Sequence, residues 1–313
     1  MIGYRPTGLR VVLEIGTVVV STLSVGLVLT RRTRPGGRTL AWLTLAAAVL
    51  ATERLTVAEP AGVRMLAICV ALLIGFKAVV GTADLAAGRP ALPTLRWLGF
   101  ALTWPGMDPA PFERRGRNRR APDSRRPLAF AAAAAVAIGI ARGVWLETGN
   151  AWLATPPLLL GLSLGLHFAL FGFANAAWQL AGFASRQPFA APQKSESLAE
   201  FWGRRWNRPF SELMRKTLYG PLAGRGLPDA AMFAAFLLSG LLHELAISVP
   251  ARAGYGRPTA YFIVQGLFVL AERRWPSPSR ARLRTWLGIL VPVPLLLVPE
   301  FLRTAIWPII GIS

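Results

Sequence analysis

Apolar runs of roughly twenty residues recur along most of the chain, each closed by a short polar or basic segment, which is the length that carries a helix across a bilayer. They predict eight spans at about 9–30, 39–58, 62–87, 127–147, 151–182, 229–249, 258–272 and 285–312. The expected class is therefore all-α: a polytopic transmembrane helix bundle of about eight spans, with interfacial helices on its cytoplasmic side and residues 1–313 forming one membrane-embedded domain. The first run has its basic cluster after the apolar segment and no small-x-small cleavage site following it. It is read as a retained span, not a signal peptide.

Composition agrees with the pattern. Of 313 residues 53% are hydrophobic and 16% charged, with a mean hydropathy of +0.45, too little charge to cover a soluble domain of this size. A net charge of +20 would suggest nucleic acid in a soluble protein, but the basic residues follow the predicted topology. Twenty-six of the 35 Lys and Arg fall in the loops after spans one, three, five and seven, seven fall on the other side, and Lys77 and Arg142 lie inside spans. The rich side is expected to be cytoplasmic and both termini outside, with membrane lipids as partners and no nucleic acid. Cys69 sits alone in an apolar run, and His167 and His243 are 76 positions apart with no Cys-x-x-C nearby. No disulfide framework and no metal site is expected.

Two of the basic loops are longer than a connection needs. The first, 88–126, contains L-R-W-L-G-F-A-L-T-W and then P-G-M-D-P-A-P-F, a short interfacial segment ending in proline-fixed turns; its tail from Glu113 to Arg126 is a charge run drawn to anionic headgroups. The second, 183–228, holds S-L-A-E-F-W-G-R-R-W-N-R-P-F at 197–210. Ser197 with Glu200 forms a capping box that starts a helix at Leu198. Apolar residues at 198, 201, 202, 206, 209, 210, 213 and 214 mark one face, with Arg204, Arg208 and Arg215 on the other, so the segment is expected to lie in the interface. Pro209 predicts a break at Asn207–Arg208. Asn207 reads equally well as a helix end and as a functional amide.

The sixth predicted span carries L-L-S-G-L-L-H-E-L-A-I. Fourteen residues from Asp229 at about 1.5 Å each put His243 about 21 Å into the membrane, where an imidazole is costly and a functional role is the default reading. Ser239 and Gly240 offer a hydroxyl and open space on the same face, and Glu244 is expected to point into the bundle and find a partner. A neutral histidine suits removal of a proton from an alcohol. G-L-S-L-G at 161–165 matches a nucleophile-elbow string, but it lies mid-helix and is discounted. His167 shares a face with Phe171, Asn175 and Trp178 or Gln179, a stripe that either packs against a neighbour or lines a cavity.

Taken together, the string from Ser195 to Asn207, L-Y-G-P-L at 218–222 and S-G-L-L-H-E in the next span resemble the wax-ester synthase branch of the membrane-bound O-acyltransferases, closely over about 170–250; the W-P-G-M-D-P turn at 104–109 is similar too. The resemblance implies transfer of a fatty acyl group from acyl-CoA, as co-substrate with no bound cofactor, to a lipophilic alcohol inside a membrane chamber. It implies His243 as general base and Asn207 as the group that positions or polarises the acyl donor. Trp202, Arg204, Arg205, Trp206, Ser239, Gly240 and Glu244 are the expected substrate-binding residues. Arginines beside aromatics independently suit a polyanion with an apolar tail. A lipid or solute transporter, or a non-catalytic scaffold, is the alternative.

Overall fold

The computed structural model describes residues 2–116, 124–275 and 280–312. These form helices and no strand. In chain order the main elements are α1 (Leu9–Leu29), α2 (Gly37–Leu55), α3 (Ala61–Ala86), α4 (Thr94–Thr103), α5 (Arg125–Thr148) and α6 (Ala151–Leu180). Next come α7 (Leu198–Glu200), prolonged by a π-helical turn, and α8 (Arg208–Met214), followed by α9 (Pro228–Ala251), α10 (Arg257–Arg274), α11 (Ala281–Leu295) and α12 (Pro299–Ile310). Part of the charge run expected at 113–126 lies outside the described residues.

Helices α1, α3, α5, α6 and α9 are each long and apolar enough to cross a membrane. The shortest, at 21 residues, reaches about 31 Å against a hydrocarbon core of about 30 Å. The chain is an integral, multi-pass membrane protein. Helices α2 and α10 occupy the second and seventh predicted spans but fall short of the same length-and-hydropathy standard. The eighth predicted span needs correcting: 285–312 is not one helix, because α11 and α12 meet at 80°. Pro292, Pro294 and Pro299 lie in or beside the junction, and each lacks the N–H that would continue a helix.

Burial separates the centre of the bundle from its periphery. In α3, 67% of the most apolar stretch is buried, against 17% in α1 and α5. Helix α3 packs against α1 and α2, with Ala41 and Leu45 of α2 and Ile68 and Val80 of α3 among the residues of that core. A second cluster joins α5, α6 and α12, and a third joins α7, α9, α10 and α11. Small residues set the close crossings. At Gly161 a Cβ would stand 3.0 Å from the Ala134 carbonyl oxygen and 3.1 Å from the Ile138 nitrogen, both on α5. The first glycine of the discounted G-L-S-L-G string is thus accounted for by helix packing.

Candidate active site

The 183–228 segment folds as a set of short helices locked to their surroundings. Ser197 Oγ accepts from Glu200 N at 2.9 Å, so the predicted cap is present, and the Glu200 carboxylate reaches back to Glu196 N, one residue before the expected partner. Glu272 of α10 accepts from Leu198 N and Ala199 N, both at 3.2 Å, anchoring the start of α7. The helix widens into a π turn over Phe201–Arg205 and stops. The amphipathic segment 198–214 is thus two helical pieces, parted at Trp206–Asn207, beside the break that Pro209 predicts.

Asn207 sits at the break with φ 44° and ψ 56°, the left-handed geometry that asparagine tolerates better than most residues. Its Oδ1 accepts from Phe210 N at 3.3 Å and so caps α8, with Pro209 inside the first turn, where a missing N–H costs nothing. The helix-end reading is therefore correct. It also fixes the amide, because an N–H can only point at the oxygen: Nδ2 is the free end, without a partner among the described residues.

One large cavity, about 1080 Å³, opens beside this segment. Trp202, Arg204, Trp206, Asn207, Ser239 and His243 all line it, so the structure brings together residues from two elements that the sequence separates by more than thirty positions. The Trp202 indole donates to Gln265 Oε1 at 3.0 Å, and Phe201 stacks on Trp206 with centroids 5.5 Å apart. His243 is partly buried, its ring 4.3 Å from that of Phe262. Its Nδ1 lies 2.7 Å from the Ser239 carbonyl oxygen, which only accepts. Nδ1 therefore carries the proton and Nε2 keeps a lone pair. A π-helical segment, Glu244–Ser248, begins at the next residue, an irregularity frequent at functional sites.

Three expected substrate-binding residues do not line the cavity. Arg205 is tied to Glu200 at 2.6 Å and to the Ala190 and Ala191 carbonyls. The space expected beside Gly240 is filled by α10: a Cβ there would lie 2.8 Å from Thr259 Cα. Glu244 does point into the bundle, where Oε1 accepts from Gly256 N, Thr259 N and Thr259 Oγ1 at 3.0, 3.0 and 2.8 Å. It holds the start of α10, the helix that carries Phe262. His167 is likewise outside the cavity, 4.5 Å from the Phe189 ring and 5.3 Å from Trp206, so the packing reading of its stripe holds there.

The sequence reading did not assign a further part of the cavity wall. Glu212, Asp108 and the W-P-G-M-D-P turn line the cavity, and that turn hangs on α3: Lys77, fully buried, donates to the carbonyls of Trp104 (2.7 Å) and Gly106 (2.5 Å). Lys216 bridges Asp84 (2.7 Å) and Asp108 (2.8 Å), and Glu212 accepts from Met107 N at 3.3 Å. Burial pushes the Asp108 carboxyl up, but Lys216, Ala110 N and Arg89 outweigh it and hold it below the usual range. Burial, with Asp108 beside it, raises Glu212. The available signals were a lysine inside a span and Glu212 one turn before Lys216.

The cavity is graded. Arg186, Arg204 and Arg215 line it without a hydrogen-bond or ion-pair partner among the described residues, and its wall also includes the apolar Met232, Val269, Ile289, Val293 and Leu296. It can hold an anionic group against guanidinium and an apolar chain against hydrocarbon, with His243 and Asn207 in its wall.

Comparison with known proteins points to the same segment. The membrane bound O-acyl transferase family model matches residues 185–265. Over 174 residues the chain is 29% identical to a probable long-chain-alcohol O-fatty-acyltransferase 8 of Arabidopsis thaliana, covering 51% of this chain and 52% of that one. It is 32% identical over 121 residues to the long-chain-alcohol O-fatty-acyltransferase of Simmondsia chinensis, covering 35% and 34%. It is 38% identical over 77 residues to diacylglycerol O-acyltransferase 1B of Glycine max, covering 24% and 15%. The aligned part spans about half the length of the first of these relatives and less of the others. The matched segment carries Asn207, His243 and the helices that hold them at one cavity, and over this segment the chain is similar to the membrane bound O-acyl transferase family.

Proposed function

We propose that the protein transfers a fatty acyl group from acyl-CoA to the hydroxyl of a lipophilic alcohol, a long-chain alcohol giving a wax ester. The observation that carries this reading is the graded cavity, with unpaired guanidiniums, the Asn207 amide, the His243 lone pair and an apolar wall in one volume. Arg186, Arg204 and Arg215 take the CoA phosphates, and the apolar wall takes the acyl chain. The similarity to long-chain-alcohol enzymes supports the acceptor class. The basic-rich loops face the cytoplasm, where acyl-CoA is found, and both termini lie on the other side.

In this mechanism His243 Nε2 takes the proton of the acceptor hydroxyl while Nδ1–H stays on the Ser239 carbonyl, which stabilises the imidazolium that forms. The alcohol oxygen bonds to the thioester carbonyl carbon. Negative charge develops on the carbonyl oxygen, and Asn207 Nδ2–H donates to it. Collapse breaks the C–S bond, the ester is released, and the CoA thiolate takes the proton from His243. Ser239 and Trp202 shape the wall around these groups, and Glu244, Gly240 and Arg205 hold the elements that present them.

The test is ester formation by the purified protein from labelled long-chain acyl-CoA and a panel comprising a long-chain alcohol, a sterol and a diacylglycerol. The long-chain alcohol is expected to be used best, and His243→Ala to lower turnover by about 10²- to 10⁴-fold. Full activity in a folded His243→Ala protein would refute the base. Binding of acyl-CoA without turnover on any acceptor would favour a transporter or scaffold.

A further inference from the structure

A second cavity, about 480 Å³, lies at the turn between α1 and α2, with Thr82 and Leu85 of α3 among its lining residues. Arg32, Arg34 and Arg38 all line it, none with a hydrogen-bond or ion-pair partner among the described residues. Other arginines of the basic-rich loops are engaged: Arg31 with the Leu92 carbonyl and Thr94, Arg89 with Asp108, Arg282 with Glu196. The lining contains no carboxylate and adds the hydroxyl residues Thr33 and Thr39. Three uncompensated guanidiniums around one concavity are the arrangement that also marks the large chamber. Here no catalytic group accompanies them.

The surroundings identify the anion. Val25 and Val28 on α1 and Leu40 and Leu43 on α2 are 42%, 51%, 48% and 59% exposed, all within about two turns of the arginines. An apolar face so exposed on helices of a membrane bundle is covered by acyl chains. The cavity therefore sits where that face ends, at headgroup depth, and Trp42 in its wall is the residue type enriched at this level. Pro35 and the left-handed Gly36 (φ 72°) shape the turn that presents the arginines. The geometry points to a binding site for an anionic phospholipid in the α1–α2 turn, its phosphate held by Arg32, Arg34 and Arg38 and its chains lying along Val28 and Leu43. This site is separate from the chamber and does not depend on the acyl-transfer reading.

Native mass spectrometry of the detergent-purified protein tests it, with phosphatidylglycerol and phosphatidylcholine as probes. Wild type is expected to retain phosphatidylglycerol in preference to phosphatidylcholine, and R32Q/R34Q/R38Q to retain at least about fivefold less phosphatidylglycerol with the phosphatidylcholine adduct unchanged. R225Q/R274Q/R284Q, which removes equal charge from the basic-rich loops outside the cavity, should behave as wild type. Matching thermal midpoints show that each variant is folded, and should the triple variant unfold, R34Q alone is read in its place and must still lose adduct. Equal retention of both lipids, retention unaffected by the arginine changes, or equal loss in the control variant overturns the proposal. Displacement of the lipid by millimolar inorganic phosphate would assign the cavity to a free anion and overturn it too.

Discussion

At the scale of single residues, the proposed chemistry rests on how two side chains are oriented. Asn207 has one end committed as a cap and the other free, so its two roles can be separated. Asn207→Asp keeps the left-handed backbone and the cap but replaces the N–H donor with a second acceptor. We expect the thermal midpoint to hold and kcat to fall by about 10²- to 10³-fold in the acyl-transfer assay. Asn207→Ala should lose both, with about 1 kcal/mol of stability going with the cap. For His243, the bond to the Ser239 carbonyl selects the tautomer. His243→Gln, which fills similar space without a base, should retain acyl-CoA binding and lose turnover.

At the scale of elements, Glu244 shows how a residue adjoining the proposed base acts through another helix. Its Oε1 gathers three donors at the start of α10, whose Phe262 packs on His243. Glu244→Ala should lower stability by about 1–3 kcal/mol, and Glu244→Gln, which keeps an acceptor, should recover most of it; thermal unfolding in detergent reads both. Gly161→Val should cost about 1–3 kcal/mol by driving α6 off the α5 backbone. These contacts also explain what could be read from the chain beforehand. Helix positions, the cap at Ser197 and the break at Asn207 were legible because each is local: a run of apolar residues, a four-residue pattern, a proline. Gly240 and Glu244 do not line the cavity because they contact Thr259 on α10, and spacing along α9 says nothing of which face α10 covers. The 80° bend after α11 was missed although Pro292, Pro294 and Pro299 were in view, because mean hydropathy does not register a missing N–H.

At the scale of the whole molecule, three distant parts of the chain meet in one polar wall: α3 through Lys77 and Asp84, the 104–109 turn, and the α8 region through Glu212 and Lys216. That wall should give stability a two-sided dependence on pH. Asp108 is held below its ordinary value, so it stabilises above the unfolded value of about 3.9, and the gain is lost as pH falls through the folded value. Glu212 is raised, so its contribution is complete below about pH 4.3 and is lost as pH rises through its folded value. Thermal midpoints across about pH 3 to 8 should show Asp108→Asn flattening the acid limb, and Glu212→Gln gaining on wild type as pH rises. Lys77→Met should loosen the same wall at every pH, since it leaves two buried carbonyls without a donor.

The left-handed backbone at Asn207 has a consequence for how this sequence can change. Glycine accepts that conformation at no cost but has no side chain; aspartate accepts it and caps, but has no hydrogen to donate. Most other residues adopt it at a cost in backbone strain and lack the paired acceptor and amide N–H that Asn207 offers at this reach. A saturation library at this position should therefore have one functional member, with no neutral intermediate through which the position could drift, whereas Trp206 beside it and Trp202 five residues before it, which supply surface and stacking, should admit other aromatics.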